Sequence, residues 1–188
     1  MPIGSTSNHW SPPKVPETAI RAMPGPLREA WDALADAVAA LVEEPGVQVV
    51  GVSGLWHTVA VGGPEQPEYT NAVVLLETAL APAELLALAH RLEQAAGRVR
   101  DVRWGPRTLD VDVLDVDGVS SADPQLTVPH PRAHERAFVL VPWAEVAPEW
   151  LLAPAEGVGR SVRSWAEAAR AAEPLGSVVL AEDGAWWR

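Results

Sequence analysis

The sequence predicts an α+β protein with a ferredoxin-like, split βαβ fold: a mostly antiparallel sheet with helices packed on one face. The main observation is the order of predicted elements, which is helix, strand, strand, helix, strand, with at most a short strand before the first helix. The second is size, because 188 residues with 48% hydrophobic content suit one domain with a full core. We expect a proline-rich arm over residues 1–17 and a single domain over 18–188.

Periodicity and turn residues predict each element. Apolar residues recur at helical spacing from Leu27 to Val42, and Pro45-Gly46 ends that helix. Many β-branched residues follow and indicate a strand that bends near Gly51 or Gly54. The predicted elements are a short strand near 18–23, helices over 27–42, 82–96 and 161–172, strands over 47–61, 69–80, 109–116 and 177–180, a helical or turn-like segment over 137–146, and an irregular segment over 126–134.

Composition excludes several classes of function. Fourteen basic against 25 acidic residues give a net charge of −11, which argues against a nucleic-acid or anionic-membrane binder. The absence of cysteine excludes disulfides, thiolate metal sites and a cysteine nucleophile. No signal-peptide pattern and no apolar run of membrane-spanning length occur, so we expect a cytoplasmic protein. Trp186-Trp187 either pack on the domain or mediate self-association.

Two carboxylates on one predicted strand form a candidate metal site. Asp110 and Asp112 are two residues apart, so the strand places both side chains on one face. Hard oxygen ligands favour Mg²⁺, which takes phosphate oxygens as further ligands. The alternative is a solvated acidic face, and the nearby Asp115 and Asp117 favour it.

A cluster of arginines precedes these carboxylates. Arg98, Arg100, Arg103 and Arg107 lie in one predicted loop, a local reversal of charge in an acidic chain. Arginine binds phosphate oxygens bidentately and keeps its charge. Carboxylates and arginines at the same strand end suit a metal–polyphosphate ligand, although a surface Arg–Asp network remains the alternative. A P-loop is excluded because its motif is absent and the only lysine is Lys14.

Several segments, in order, resemble one family. Residues 103–114 read RWGPRTLDVDVL and are similar to the signature of 6-hydroxymethyl-7,8-dihydropterin pyrophosphokinases of the folate pathway. The resemblance covers roughly residues 47–150, whereas the segment near Arg21–Pro26 diverges from the family pattern. Its other segments are SGLWHT at 53–58, QPEYTNAV at 66–73, Glu93, GRVR at 97–100, LTVPHPR at 126–132 and ERAFVL at 135–140.

The resemblance implies a role for each matching residue. Asp110 and Asp112 would hold two Mg²⁺ ions, and Arg98, Arg100 and Arg107 would act on the polyphosphate of ATP. The further residues implied to bind ATP are Glu93, Trp104, Val113, Leu126, Thr127, His130 and Arg136. Those implied to line the pterin slot are Thr58, Val61, Tyr69, Asn71, Trp104 and Phe138.

The implied reaction transfers a pyrophosphoryl group from ATP to the hydroxymethyl oxygen of the pterin and releases AMP. Aromatic planes suit a flat heterocycle, and the amide of Asn71 offers both a donor and an acceptor. Two alternatives remain open at this point. The first is a pyrophosphokinase of the same fold that acts on another hydroxymethyl heterocycle in specialised metabolism, and the second is a non-catalytic nucleotide- or pterin-binding homologue.

Overall fold

A six-stranded antiparallel sheet forms the centre of the molecule. The structure is a computed structural model that describes residues 16–22, 27–58, 69–97, 109–174 and 176–188. The strands of the sheet are β1 (Pro16–Ala22), β2 (Val47–Val52), β3 (Leu55–Thr58), β4 (Tyr69–Thr78), β5 (Leu109–Val116) and β10 (Val178–Glu182). The helices are α1 (Leu27–Glu43), α2 (Pro82–Ala95), α3 (Ala137–Val146) and α4 (Val162–Ala172).

The sheet order is β10-β3-β4-β1-β5, and β2 pairs with the far half of β4. The predicted α+β class with a mostly antiparallel sheet is therefore confirmed. The short strand expected near residues 18–23 is the seven-residue β1, which pairs with both β4 and β5. The division into an arm over 1–17 and a domain over 18–188 stays a prediction, because residues 1–15 lie outside the described residues.

Helices cover the sheet on both faces, whereas the sequence predicted helices on one face only. On one face α1 and α2 bury Leu34, Leu88 and their neighbours against Val74 and Val111. On the other face α3 packs against Val73, and α4 packs on α3. No helix in the described ranges is long and apolar enough to cross a bilayer.

Local sequence explains where the helices begin and end. Pro82 opens α2, where the Glu84 carboxylate accepts the Ala81 N–H at 2.7 Å. Ser161 caps α4 by accepting the N–H of Ser164 at 3.3 Å. Gly46, with a φ of 78°, follows α1 in a conformation that suits glycine.

The predicted bend near Gly54 is confirmed. The expected long strand divides into β2 and β3, both of which pair with β4. A side chain at Gly54 is excluded, since a Cβ there would lie 2.6 Å from the carbonyl oxygen of Glu182 in β10. Trp186 and Trp187 are half-buried and pack against the α1–α2 side of the core, as the first of the two alternatives expects.

Two short hairpins were not expected from the sequence. The first pairs β6 (Ser121–Asp123) with β7 (Leu126–Val128), and the second pairs β8 (Leu151–Leu152) with β9 (Arg160–Ser161). The segment 126–134 is therefore more regular than predicted, since it also enters a 3₁₀ turn at Ala133–Glu135. Strands of two or three residues are too short to leave a periodic pattern in a sequence.

Candidate functional site

Asp110 and Asp112 lie together on one face of β5. Both are half-buried, whereas Leu109 and Val111 point to the opposite face and are buried under α1 and α2. The Cα atoms of residues two apart in a strand are roughly 7 Å apart, which suits two carboxylates at one cation site. The described residues contain no cluster of three or more metal-ligating side chains. A pair of carboxylates completed by phosphate oxygens fits Mg²⁺, which seldom uses an all-protein cage.

Glu93 supports β5 from beneath. It lies on α2 with 3% of its surface exposed, and its Oε1 accepts the N–H of Val111 at 3.2 Å. Val111 separates the two aspartates, so this hydrogen bond fixes the backbone from which both carboxylates project. The expectation that Glu93 helps to hold ATP stays a prediction.

His130 lies beside Asp112 because β5 carries a bulge. Thr18 pairs with Val113 and Glu17 with Asp115, so Leu114 is an extra residue on β5, and its carbonyl accepts the N–H of His130 at 2.6 Å. Burial lowers the pKa of His130, although the charge of Asp112 opposes this shift. The Nδ1 atom accepts the N–H of Arg132 at 3.2 Å, which leaves the proton of the neutral ring on Nε2. An N–H donor beside the carboxylates suits a phosphate oxygen.

The side-chain oxygen of Asn71 has no partner among the residues that the structure describes. Its Nδ2 donates to Thr58 Oγ1 at 2.7 Å and to the Trp56 carbonyl at 3.3 Å, and that carbonyl fixes the orientation of the amide because it only accepts. Asn71 is 3% exposed, and its Oδ1 has no hydrogen-bond partner within the described part of the chain. Buried polar atoms are normally satisfied, so this oxygen is suited to accept a ligand N–H.

The aspartates and the slot residues share one face of the sheet. Asn71 and Asp110 both pair with Arg21 of β1, so two strand spacings, about 10 Å, separate their backbones. Tyr69 is half-buried and pairs with Thr58 at the end of the same face. The structure therefore brings Thr58, Tyr69 and Asn71 together beside the carboxylate pair.

Phe138 and Arg136 lie together at the start of α3. Phe138 is the second residue of α3, and it is half-buried against the core formed by α3 and α4. The Arg136 guanidinium carbon lies 5.7 Å from the Phe138 ring centre, in a cation–π contact. A residue predicted to bind ATP thus contacts one predicted to line the pterin slot.

The remaining nucleotide-side residues are less closely grouped. Thr127 is half-buried, and its hydroxyl donates to the carbonyl of Asp123 at 3.0 Å. Val113 is buried with Leu85 in a small cluster against which Leu126 packs, so its side chain is not on the carboxylate face. A nucleotide contact by Val113 would therefore involve its backbone. The nucleotide-binding roles of Thr127, Val113 and Leu126 stay predictions. Five predicted site residues lie outside the described residues: Val61, Arg98, Arg100, Trp104 and Arg107.

The structure adds polar contacts that the sequence did not suggest. Glu145 accepts hydrogen bonds from the Gly54 N–H and the Trp56 indole, and the Trp186 indole donates to the Ser53 carbonyl at 2.8 Å. One sequence signal was present, because Glu145 is the only charged residue in the apolar sequence of α3. A cavity of about 580 Å³ also lies between α1 and α2, but no predicted site residue lines it.

Comparison with known proteins identifies the family. The profile of the 7,8-dihydro-6-hydroxymethylpterin-pyrophosphokinase family matches residues 22–148, which is more than half of the chain. The chain belongs to this family. Family members of known name support the assignment: the 2-amino-4-hydroxy-6-hydroxymethyldihydropteridine pyrophosphokinase of Methylorubrum extorquens is 44% identical over 119 residues, which cover 63% of this chain and 75% of that protein.

Two more pyrophosphokinases of the same name give consistent matches. The Bacillus subtilis protein is 45% identical over 60% of this chain and 68% of its own length. The Haemophilus influenzae protein is 35% identical over 80% of this chain and 94% of its own length. The last match spans nearly the whole of that protein.

Solved structures confirm the fold of the family. A Plasmodium falciparum HPPK-DHPS crystal structure superposes with a TM-score of 0.64 at 13% identity and covers 91% of this chain. This chain spans about half of that protein, 48% of its length. At such low identity the likeness concerns the fold alone, and it agrees with the ferredoxin-like architecture predicted for this family member.

Proposed function

We infer that the chain transfers the pyrophosphoryl group of ATP to the hydroxymethyl oxygen of 6-hydroxymethyl-7,8-dihydropterin and releases AMP, as a step of folate biosynthesis. Membership of the pyrophosphokinase family supports this activity. The observation that carries it in the structure is one juxtaposition: the buried Oδ1 of Asn71, which has no partner among the described residues, lies on the same sheet face as Asp110 and Asp112. A heterocycle bound at the amide and a polyphosphate bound at the carboxylates would meet across β1.

The acceptor half of the site suits a flat ring with an amide edge. Asn71 Oδ1 accepts a ring N–H, and the half-buried Tyr69 and Phe138 offer aromatic surface nearby. Thr58 holds Nδ2 of Asn71, so the amide is oriented before the ring binds. Val61 and Trp104 complete the slot in this proposal.

The donor half of the site suits Mg²⁺ and ATP. Asp110 and Asp112 would hold two Mg²⁺ ions, which when bound neutralise polyphosphate charge. His130 offers its Nε2–H to a phosphate oxygen, and Arg136 adds positive charge beside it. Arg98, Arg100 and Arg107 are proposed to contact the triphosphate, with Glu93, Thr127, Val113 and Leu126 on the nucleotide side.

The reaction requires orientation and charge stabilisation. The hydroxymethyl oxygen forms a bond to the β-phosphorus while the bond from that phosphorus to the oxygen bridging to the α-phosphate breaks, so AMP leaves with the bridging oxygen. Asn71 and the aromatic residues orient the alcohol, and fixed donors stabilise the negative charge on the transferring group. No covalent enzyme intermediate is needed.

A single assay tests this function. The protein is incubated with ATP, Mg²⁺ and the hydroxymethyl pterin, and AMP is measured. AMP formation with the pterin is the expected result. AMP formation only with another hydroxymethyl heterocycle would assign a different acceptor, and binding of ATP or pterin without AMP would identify a non-catalytic homologue.

A further inference from the structure

The carboxylate of Glu145 accepts hydrogen bonds from the turn between β2 and β3 and from the start of β3. The N–H of Gly54 lies 3.0 and 3.1 Å from the two carboxylate oxygens of Glu145, and Trp56 Nε1 donates to Oε2 at 3.0 Å. Gly54 is buried, so its N–H depends on this carboxylate for a partner. Hydrogen bonds to a charged acceptor are about twice as strong as neutral ones.

Trp56 links that carboxylate to the acceptor site. Its indole contacts Glu145, while its backbone carbonyl accepts from Asn71 Nδ2. The two residues face each other in the β3–β4 register, and Thr58 on the same strand takes the second hydrogen bond of that amide. The position of β3 therefore determines the direction of Asn71 Oδ1.

Other elements hold the same turn. The Arg170 guanidinium of α4 lies 5.2 Å from the Trp56 ring centre, and the Trp186 indole donates to the Ser53 carbonyl. Ser53 also bonds Val73 of β4 in both directions, through its backbone N–H and through its hydroxyl oxygen. Helix, sheet and C-terminal contacts thus converge on residues 53–56, next to the proposed pterin slot.

We propose that Glu145 is a positioning residue for the acceptor: through Gly54 and Trp56 it fixes β3 so that the amide of Asn71 presents its oxygen to the heterocycle. The inference rests on the proposed function, since it concerns how the pterin is held. Asp110 and Asp112 lie on β5, beyond β4 and β1 from this contact. Loss of Glu145 should therefore weaken pterin binding and leave ATP binding unchanged.

The experiment measures AMP formation while the pterin and ATP are titrated separately. In Glu145→Ala, we expect the KM for the pterin to rise about tenfold. The KM for ATP should stay within about twofold, because the nucleotide side is untouched. In Glu145→Gln, the rise should be smaller, since the amide oxygen keeps one acceptor.

A double-mutant cycle isolates the path through Trp56. Trp56→Phe keeps an aromatic ring beneath Arg170 but removes the indole donor, so the KM for the pterin should rise by about threefold. In the double variant that combines Trp56→Phe with Glu145→Ala, the KM for the pterin should be no higher than in Glu145→Ala alone. Trp165→Phe is the matched control, because Trp165 also donates its indole N–H, to the Leu152 carbonyl at 3.1 Å, and also lies beneath an arginine, Arg160, at 4.8 Å. This control should leave both KM values unchanged.

The outcomes separate the inference from the function. A wild-type protein that forms no AMP from the pterin overturns the proposed function, and the inference with it. An active wild type whose pterin KM does not move in Glu145→Ala, or whose two KM values rise equally, overturns only the inference. A thermal melt shows whether Glu145→Ala folds. If it does not, Glu145→Gln and Trp56→Phe test the inference in its place: a rise in the KM for the pterin without a rise in the KM for ATP supports it, and any other result overturns it.

Discussion

The acceptor side of the proposed site, around Asn71, and its phosphate side, around Asp110 and Asp112, consist of different kinds of chemical group. On the acceptor side, Asn71 and Thr58 are neutral groups that bond each other and the Trp56 carbonyl. On the phosphate side, Asp110 and Asp112 are two half-buried carboxylates on a strand at the edge of the sheet. One side is held by hydrogen bonds within the protein, and the other concentrates negative charge.

This difference indicates how each side contributes to catalysis. The amide of Asn71 is oriented in the protein alone, so it can select a heterocycle without rearrangement. In the proposed function, Mg²⁺ and the polyphosphate bind at the two carboxylates, so the phosphate side is assembled from ligands as well as from protein groups. Changes on the acceptor side should therefore alter the KM for the pterin, and changes on the phosphate side should alter kcat.

The largest effect is expected for Asp112→Asn. This change removes half of the carboxylate charge that is proposed to hold the metal ions, so kcat should fall by about 10³-fold or more, because metal-ion charge stabilisation is worth several kcal/mol. The variant should still fold, because asparagine is nearly isosteric with aspartate. Steady-state AMP release and a thermal melt check both statements. Asp117→Asn, at an exposed position just after β5, is the control and should retain activity. Near-normal turnover in Asp112→Asn would remove the metal assignment.

A smaller and more selective effect is expected for Asn71→Ala. The variant lacks the acceptor proposed for the ring N–H, and a lost hydrogen bond of this kind changes kcat/KM for the pterin by roughly 10- to 100-fold. The KM for ATP should be unaffected. Thr70→Val is the matched control, since Thr70 is the next residue along β4 but bonds His57, at 3.1 Å, on the opposite face. Equal losses for both substrates would show that Asn71 serves stability rather than recognition.

Much of this architecture could be predicted from local signals. The strand 109–116 and the helical segment 137–146 match β5 and α3, because their apolar residues are dense and bounded by turns. The face shared by Asp110 and Asp112 followed from the two-residue period of a strand. The central position of β1 could not be predicted, because its sequence PETAIRA has little β propensity and is held by partners on both edges.

Contacts between distant segments were the least predictable part of the site. Glu145 lies 91 residues from Gly54, and Trp186 lies 133 residues from Ser53, so neither pairing leaves a local pattern. Likewise, the bulge that places His130 beside Asp112 depends on the register between β1 and β5. Such features arise from tertiary packing. The spacing of residues in a motif predicts only which side chains share a face of a single helix or strand.

A stability effect is expected for Gly54→Ala. The new Cβ would lie 2.6 Å from the Glu182 carbonyl oxygen, so β10 must shift away from β3. Overpacking of this kind lowers the free energy of unfolding by about 1–3 kcal/mol, measured by denaturant titration. Gly51→Ala is the matched control, because a Cβ there would meet Leu75 and Val146 at 3.5 and 3.6 Å, which is ordinary contact. Equal stability of the two variants would contradict a close approach of β10.

The smallest effect concerns the pH dependence of stability, through Asp115. Burial raises the pKa of this carboxyl above its ordinary value, although hydrogen bonds from Trp150 Nε1 and the Val116 N–H, both at 2.9 Å, oppose the shift. Between the unfolded and the folded pKa, the folded protein binds more protons, so the free energy of unfolding falls as the pH rises through that interval.

Asp115→Asn removes this titration. Relative to the wild type, the variant should therefore gain stability as the pH rises from about 3.9, the ordinary carboxyl value, through the folded pKa. Denaturant melts at a series of acidic pH values measure the difference. Asp115 lies on the same strand as Asp110 and Asp112, the pair proposed to bind metal, but on the far side of the Leu114 bulge, so turnover should change little while the pH slope changes. If the dependence of the free energy of unfolding on pH is the same in the variant and the wild type, another group causes it. A large loss of turnover would show that residues beyond the Leu114 bulge also contribute to the phosphate side.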